Sequence, residues 1–419
     1  MAPLVTREAT VRVAVHDADP GAPGAGSAAH DVASATTLRS TRNLQLDVLR
    51  GVAILLVFGR HLELARPEGA VGSFAEAWFR IGWLGVDLFF VLSGFLIGGL
   101  LIRELRRCGS IDITRFLVRR GLKIYPAYFV FIAYLILVPT VKALASGGGW
   151  SATLTEQWIR YWPNLLFLQN YIGSNPAGHT WSLAVEEHFY LLLPFAMVAL
   201  ASTGRVRLLV PLCLLAVPAL LLLLRGLSVW SDDAFAVKMS ATHLRLDALL
   251  FGVGIRTVAE YFPEQLTQGV RRWRYGLIAA GLLLWSLNLW IEPSTAFVRT
   301  LGLMFNYVGS AALLLAACHI HATDFGRSAR YLSPLAESVA WIGFYSYTIY
   351  LWHVTAMGIL GREIGLRLVS WQGAPSTLTW LAGALAACVG AVLVGVLASR
   401  AVEWPLLRLR DRMFPSRLS

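Results

Sequence analysis

Beyond residue 43 the chain alternates long apolar runs with short, arginine-bearing polar breaks. Ten such runs lie near 46–65, 82–102, 124–141, 181–200, 207–224, 242–258, 275–291, 299–320, 337–360 and 377–400. Each approaches the roughly 20 residues a helix needs to cross the hydrocarbon core of a bilayer. In lipid every backbone N–H and C=O has to be satisfied within its own segment, so these runs predict helices. The expected fold is all-α: an integral membrane bundle of about ten transmembrane helices over residues 44–405. A shorter apolar piece, Trp158–Tyr171, is interrupted by Pro163 and predicts an interfacial or re-entrant helix. Residues 1–43 carry "DADPGAPGAGSAAHD" and show no periodicity, which predicts a disordered cytoplasmic tail. That tail lacks the basic start and adjoining apolar run of a secretory signal, so the first apolar helix is expected to remain as an anchor. Residues 406–419 read as a short basic cytoplasmic tail.

Composition sharpens this picture. Of 419 residues 56% are hydrophobic and only 15% charged, with mean hydropathy +0.60. Too few polar side chains are present to cover a soluble globule. The four cysteines, Cys108, Cys213, Cys318 and Cys388, are scattered without CxxC spacing, so neither a disulfide framework nor a zinc site is expected. His319 and His321 close one run, but helix spacing points their rings apart, which argues against a metal site. The net charge of +11 comes from 33 Arg and 3 Lys. With the N-terminus in the cytoplasm, 25 of these 36 residues fall on the cytoplasmic side. That bias predicts that both termini are cytoplasmic, and it accounts for the charge without a nucleic-acid partner.

Ionisable side chains inside apolar runs are costly, so each is a candidate for chemistry. Arg50 and His61 in "LDVLRGVAILLVFGRH" are eleven residues apart, about three helical turns. They share a helix face at a separation of roughly 16 Å, too far to touch but suited to lining one pocket end to end. Asp87, in "GWLGVDLFFVLSGFLIG", is a carboxylate that needs a partner, while the glycines around it suit close helix packing. Arg115, Arg119, Arg120 and Lys123 lead into a span at Tyr125-Pro126. Positive-inside bias explains them as well as phosphate binding does. In "HTWSLAVEEHFYLLLP", Glu186 and Glu187 are adjacent, so about 100° separates them on a helix and one of them is expected to face the bundle. The spacing does not choose between them. Arg245 and Asp247 are close enough in sequence for an ion pair but, as i,i+2 neighbours, do not face each other directly. His353 ends "FYSYTIYLWH", whose tyrosines also suit a membrane-interface belt.

Taken in order, "RGVAILLVFGRH", "GVDLFFVLSGFLI", "RRGLKIYP", "TWSLAVEEHFYLLLP", "RLDALLFG" and "YSYTIYLWH" resemble the acyltransferase-3 family of polytopic membrane O-acyltransferases, over about residues 43–405. The resemblance implies transfer of an acyl group, usually acetyl, from acyl-CoA to a hydroxyl of a sugar-containing acceptor such as a surface glycan or a macrolide. It implies no bound cofactor, with acyl-CoA as co-substrate, and a bacterial plasma-membrane location. It carries essential roles to Arg50 and His61, donor contact to Arg119 and Arg120, and a role to the motif glutamate, Glu186. The family commonly has Arg at the position of Lys123, and Lys gives up the bidentate fork. Some members carry an additional domain after the last span. About 19 residues remain here, so this chain is expected to act alone or with a separate partner.

Acyl transfer to a hydroxyl needs a base, an oxyanion donor and a dry site. His61 is the expected base, with Glu186 or Asp87 orienting its ring. Arg119, Arg120 and Lys123 are expected to hold donor phosphates at the inner surface. Asp87, Glu187, Arg245, Asp247 and His353 are candidates for support, with Arg245 or a tyrosine of the 345–350 group as oxyanion donor. The competing reading is a transporter of an acylated or glycosylated product, since intramembrane charges and broken helices occur there too. No internal repeat relates the two halves, which counts against it.

Overall fold

The apolar runs fold into helices that pair along close, glycine-lined contacts. The computed structural model describes residues 43–172, 177–231, 240–292, 295–320, 324, 326, 328–372 and 376–418. Residues 1–42 of the tail read at 1–43, and His321, lie outside the described residues. In chain order the helices are α1 (Leu44–His61), α2 (Ala70–Ile81), α3 (Leu84–Cys108), α4 (Ile113–Ala145), α5 (Trp150–Leu165), α6 (Trp181–Ser202), α7 (Val217–Ser231), α8 (Leu246–Tyr261), α9 (Pro263–Trp290), α10 (Leu303–Ala317), α11 (Ala329–Phe344), α12 (Ser346–Gln372), α13 (Thr377–Ala398) and α14 (Trp404–Met413). No strand occurs among the described residues. Six helical stretches are long and apolar enough to cross a membrane: 70–108, 113–145, 178–202, 206–230, 298–317 and 377–413. They overlap six of the ten apolar runs read from the sequence.

The remaining runs are helical with different boundaries. The run 337–360 divides at Tyr345 into α11 and α12. That break puts Tyr347, Tyr350 and His353 in the first turns of α12 at steps of three, on one face. Residues Trp158–Tyr171 do not form a separate element: α5 starts earlier, at Trp150, and holds Pro163 in its last turn. The basic motif before Pro126 is itself part of the helix it leads into. Asp112 caps α4, its Oδ1 accepting from the Arg115 backbone N–H at 2.9 Å, and the helix runs on through Pro126. Beyond residue 400 the chain stays helical: a π-type turn, Ser399–Glu403, joins α13 to α14.

Small residues set the closest crossings. A Cβ on Gly94 of α3 would lie 1.8 Å from the Leu249 carbonyl oxygen of α8, and one on Gly252 would lie 2.3 Å from that of Val91. The two helices thus approach through reciprocal glycines. Gly343 of α11 meets the Asp47 carbonyl of α1 in the same way, at 1.8 Å. Buried ion pairs reinforce one of these crossings. Arg245, at the start of α8, pairs with Asp87 of α3 at 2.6 Å, and Asn306 of α10 donates to the same carboxylate at 3.2 Å. Asp247 pairs with Arg225 of α7, not with Arg245.

Candidate active site

Three adjoining cavities run through the bundle. The central one is lined by Arg50 of α1, Val86, Phe90 and Ser93 of α3, Arg120 and Lys123 of α4, Ser182, Glu186 and Tyr190 of α6, and Tyr347 and Tyr350 of α12, among others. Helical spacing explains the set. Ser182, Glu186 and Tyr190 are four apart, and Arg120 and Lys123 three apart, so each group shares a face. Arg50 and Lys123 make no hydrogen bond or ion pair among the described residues. Arg120 has its guanidinium over the Tyr190 ring, 5.4 Å from the centroid. Glu186 is the carboxylate of this cavity. Its Oε2 accepts from the Tyr190 hydroxyl at 2.9 Å, and Tyr190 in turn accepts from Ser93 Oγ at 2.7 Å. Three cations against one carboxylate leave the cavity suited to an anionic group.

Of the two adjacent glutamates, only Glu186 opens onto the cavity. Glu187 is buried, and its Oε2 accepts from the Tyr125 hydroxyl of α4 at 3.1 Å.

Below Arg120 and Lys123 lies a second cavity, the basic mouth, which shares these two residues with the central one. It adds Glu104, Arg115, Arg119, Arg410 and Arg417. Arg119 is drawn away from the centre, with an ion pair to Asp411 at 3.1 Å and a bond to the Phe414 carbonyl.

At the opposite end, Val86 and Tyr350 form a wall shared with a third cavity, the histidine vestibule. Arg60, His61, Glu63, Arg66, Phe79, Trp83, His179 and Trp181 line it. Arg60 stacks over Phe79 and Trp83, at 4.1 and 4.8 Å from their centroids. His61, His179 and His353 cluster here, with His353 centroids 4.8 Å from His61 and 5.1 Å from His179.

Backbone carbonyls fix the tautomers, because a carbonyl only accepts. His353, 0% exposed, has Nδ1 2.6 Å from the Tyr350 oxygen, so Nδ1 carries the proton and Nε2 is an acceptor. His61 Nδ1 faces the Val57 oxygen at 3.1 Å and His353 Nε2 at 3.2 Å, so it donates. His61 Nε2 is then the nitrogen left with a free lone pair. His179 uses Nε2–H on the Leu351 carbonyl at 3.1 Å.

Several expected site residues fall elsewhere. Neither Glu186 nor Asp87 orients His61: one belongs to the central cavity and the other to the buried Arg245 pair. His353 contacts the His61 ring instead. Arg50 and His61 line different cavities on the two sides of the Val86–Tyr350 wall. Asp87, Arg245 and Asp247 line none of the three cavities and tie α3, α7, α8 and α10 together. Tyr347 and Tyr350 are spent as oxyanion donors, since their hydroxyls already donate to the Ile124 and His179 carbonyls, both at 2.6 Å. Arg245 is committed to Asp87 in the same way. His179, Tyr190 and Ser182 went unmarked in the sequence. The signal for the last two was their register with Glu186 at steps of four. His179 is placed by the 3₁₀ turn Gly178–Thr180 ahead of α6, which no periodicity reveals.

Comparison with known proteins agrees with this arrangement of motifs. A family model described as an acyltransferase domain (Acyl_transf_3) matches residues 43–400. The peptidoglycan O-acetyltransferase OatA of Listeria monocytogenes is 28% identical over 318 residues, covering 74% of this chain and 48% of that protein. The O-acetyltransferase OatA of Staphylococcus aureus is 28% identical over 319 residues, covering 74% of this chain and 49% of that protein. The chain therefore spans about half the length of these curated relatives. No solved structure matches it.

Proposed function

The chain belongs to the acyltransferase-3 family, and on that premise we propose that it is a multi-pass membrane O-acyltransferase. It moves an acetyl group from acetyl-CoA to a hydroxyl of a glycan acceptor. The observation that carries this reading is the file of three cavities, cationic at one end and histidine-bearing at the other, joined by shared side chains. Arg120, Lys123 and Arg50 bind the donor phosphates by charge-assisted hydrogen bonds. The thioester arm passes Glu186 and Ser93 and carries its carbonyl past Tyr350 into the vestibule.

On the far side His61 Nε2 takes the proton of the acceptor hydroxyl as its oxygen attacks the thioester carbonyl. The tetrahedral intermediate collapses with loss of the CoA thiolate, and the imidazolium returns the proton to that sulfur. His353 holds the ring in the tautomer that makes Nε2 basic. Phe79, Trp83 and Trp181 beside Arg60 and Glu63 give the vestibule flat apolar faces with polar neighbours, which suits a sugar better than a large apolar macrolide. Two relatives named as O-acetyltransferases, one of them of peptidoglycan, point the same way. With both termini in the cytoplasm of a bacterial cell, the basic mouth faces the cytoplasmic acetyl-CoA pool.

The test is proteoliposomes of the full chain supplied with radiolabelled acetyl-CoA and soluble peptidoglycan fragments. Label that appears on the glycan and disappears in His61→Ala supports the reading. Acetyl-CoA left unconsumed, with the glycan fragments carried unchanged across the vesicle wall, favours the transporter.

A further inference from the structure

The basic mouth is not built by α4 alone. Arg115, Arg119, Arg120 and Lys123 of α4 are joined in its lining by Arg410 of α14 and by Arg417. Both of these lie beyond residue 400, where the family match ends. The segment that carries them is tied across the mouth at several points. Asp411 pairs with Arg119 at 3.1 Å and with Arg410 at 2.7 Å. Arg417 pairs at 2.9 Å with Glu104, a buried carboxylate that also accepts from the Asp112 backbone N–H at 3.0 Å. Arg107 donates to the Leu418 carbonyl at 3.4 Å.

Charge does not balance in this lining. Six cations face one carboxylate, Glu104. Asp411 offsets one more from behind. The buried Nε of Arg115 has no partner among the described residues. Like charges gathered this closely repel one another, and a multiply charged anion placed among them relieves the repulsion through several charge-assisted bonds. The mouth also shares Arg120 and Lys123 with the central cavity, so an anion bound there is contiguous with a chain entering the bundle. Coenzyme A carries two separate phosphate groups, a diphosphate and a terminal phosphomonoester on the ribose. The central cations match the first. The mouth offers a second, outer set for the other.

We infer that Arg410 and Arg417, with Arg115, form a site for the terminal phosphomonoester of the donor nucleotide, so that the C-terminal segment selects coenzyme A over thiols that lack this group. The inference rests on the acyl-CoA reading above. It assigns a binding function to residues outside the matched family segment.

The experiment measures equilibrium binding of coenzyme A and of 3′-dephospho-coenzyme A to the full chain in lipid nanodiscs. Charge-assisted bonds to one phosphate are expected to give the wild type a preference for coenzyme A on the order of tenfold or more. Arg410→Gln/Arg417→Gln should remove most of that preference by weakening coenzyme A alone. Because Arg417 also anchors the segment to Glu104, Arg410→Gln by itself is the second variant. Its partner Asp411 is half-exposed, and it should lose part of the preference with dephospho-coenzyme A affinity held. Equal binding of both nucleotides by the wild type overturns the phosphate site and leaves the donor reading standing. So does a preference that survives both variants, or a loss that falls on both nucleotides alike. Failure of the wild type to bind either nucleotide overturns the donor reading, and this inference with it.

Discussion

At the scale of single residues, the site turns on which nitrogen of which histidine is free. His61→Ala removes the Nε2 lone pair assigned to the base, and acetyl transfer measured in proteoliposomes should fall about 10²–10⁴-fold. His353→Ala leaves that lone pair in place and removes the ring that steadies it, so a smaller fall in kcat at unchanged KM for the donor is expected. If His353→Ala is as inactive as His61→Ala, His353 does more than position its neighbour. Arg50→Gln and Lys123→Gln should act differently, raising the KM for acetyl-CoA more than they lower kcat. The sequence exposed Arg50, His61 and Glu186 because charged groups stand out in an apolar run. It concealed the tautomers, because these depend on the carbonyls of Val57, Tyr350 and Leu351, and backbone oxygens carry no sequence signature.

At the scale of elements, the crossing of α3 and α8 holds the bundle in register beside the site. Its glycines and its Asp87–Arg245 pair are one device, since the ion pair is within reach only where the backbones meet. Gly94→Ala forces the backbones apart and should release the pair. Asp87→Asn leaves Arg245 buried without its counter-charge, at a cost of about 3–5 kcal/mol. Both variants should show lower thermal midpoints in detergent, and Gly252→Ala should match Gly94→Ala. An Asp87→Asn protein of full stability but without activity would return Asp87 to the reaction. Helix existence was legible here and partner choice was not. Asp87 looked unpartnered, and Asp247 was the nearest candidate partner for Arg245 although i,i+2 spacing turns the two apart, because sequence neighbours are visible along a chain, whereas Asp87 and Arg245 are 158 residues apart. Likewise the basic motif before Pro126 read only as a lead-in to a span near residue 124, since a proline and four cations mask a helix that starts at its Asp112 cap.

At the scale of the whole molecule, the three cavities set a direction. The basic mouth and the histidine vestibule lie on either side of the central cavity, and in the orientation proposed above the mouth opens to the cytoplasm. In sealed, oriented vesicles, acetyl-CoA on the cytoplasmic face should acetylate a membrane-impermeant glycan on the other. Transfer that occurs only with both substrates on the cytoplasmic face would remove the through-membrane path and leave the chemistry intact. The apolar periodicity had already announced a helical bundle. The path itself was invisible, because cavities arise from where helices fail to touch.

The Val86–Tyr350 wall has a consequence beyond chemistry. A bacterial membrane is a charged capacitor, worth about 2.3 kcal/mol per elementary charge for each 100 mV across it. An open aqueous file from Arg120 to His61 would short-circuit it with protons. Tyr350, held by Ser182 at 2.7 Å and by the His179 carbonyl at 2.6 Å, lines both cavities and is expected to insulate one from the other until the donor arm enters. Tyr350→Ala should therefore be toxic in a way that loss of activity is not. Vesicles bearing it and a trapped pH dye should collapse an imposed proton gradient faster than wild type, while vesicles bearing His61→Ala should hold theirs.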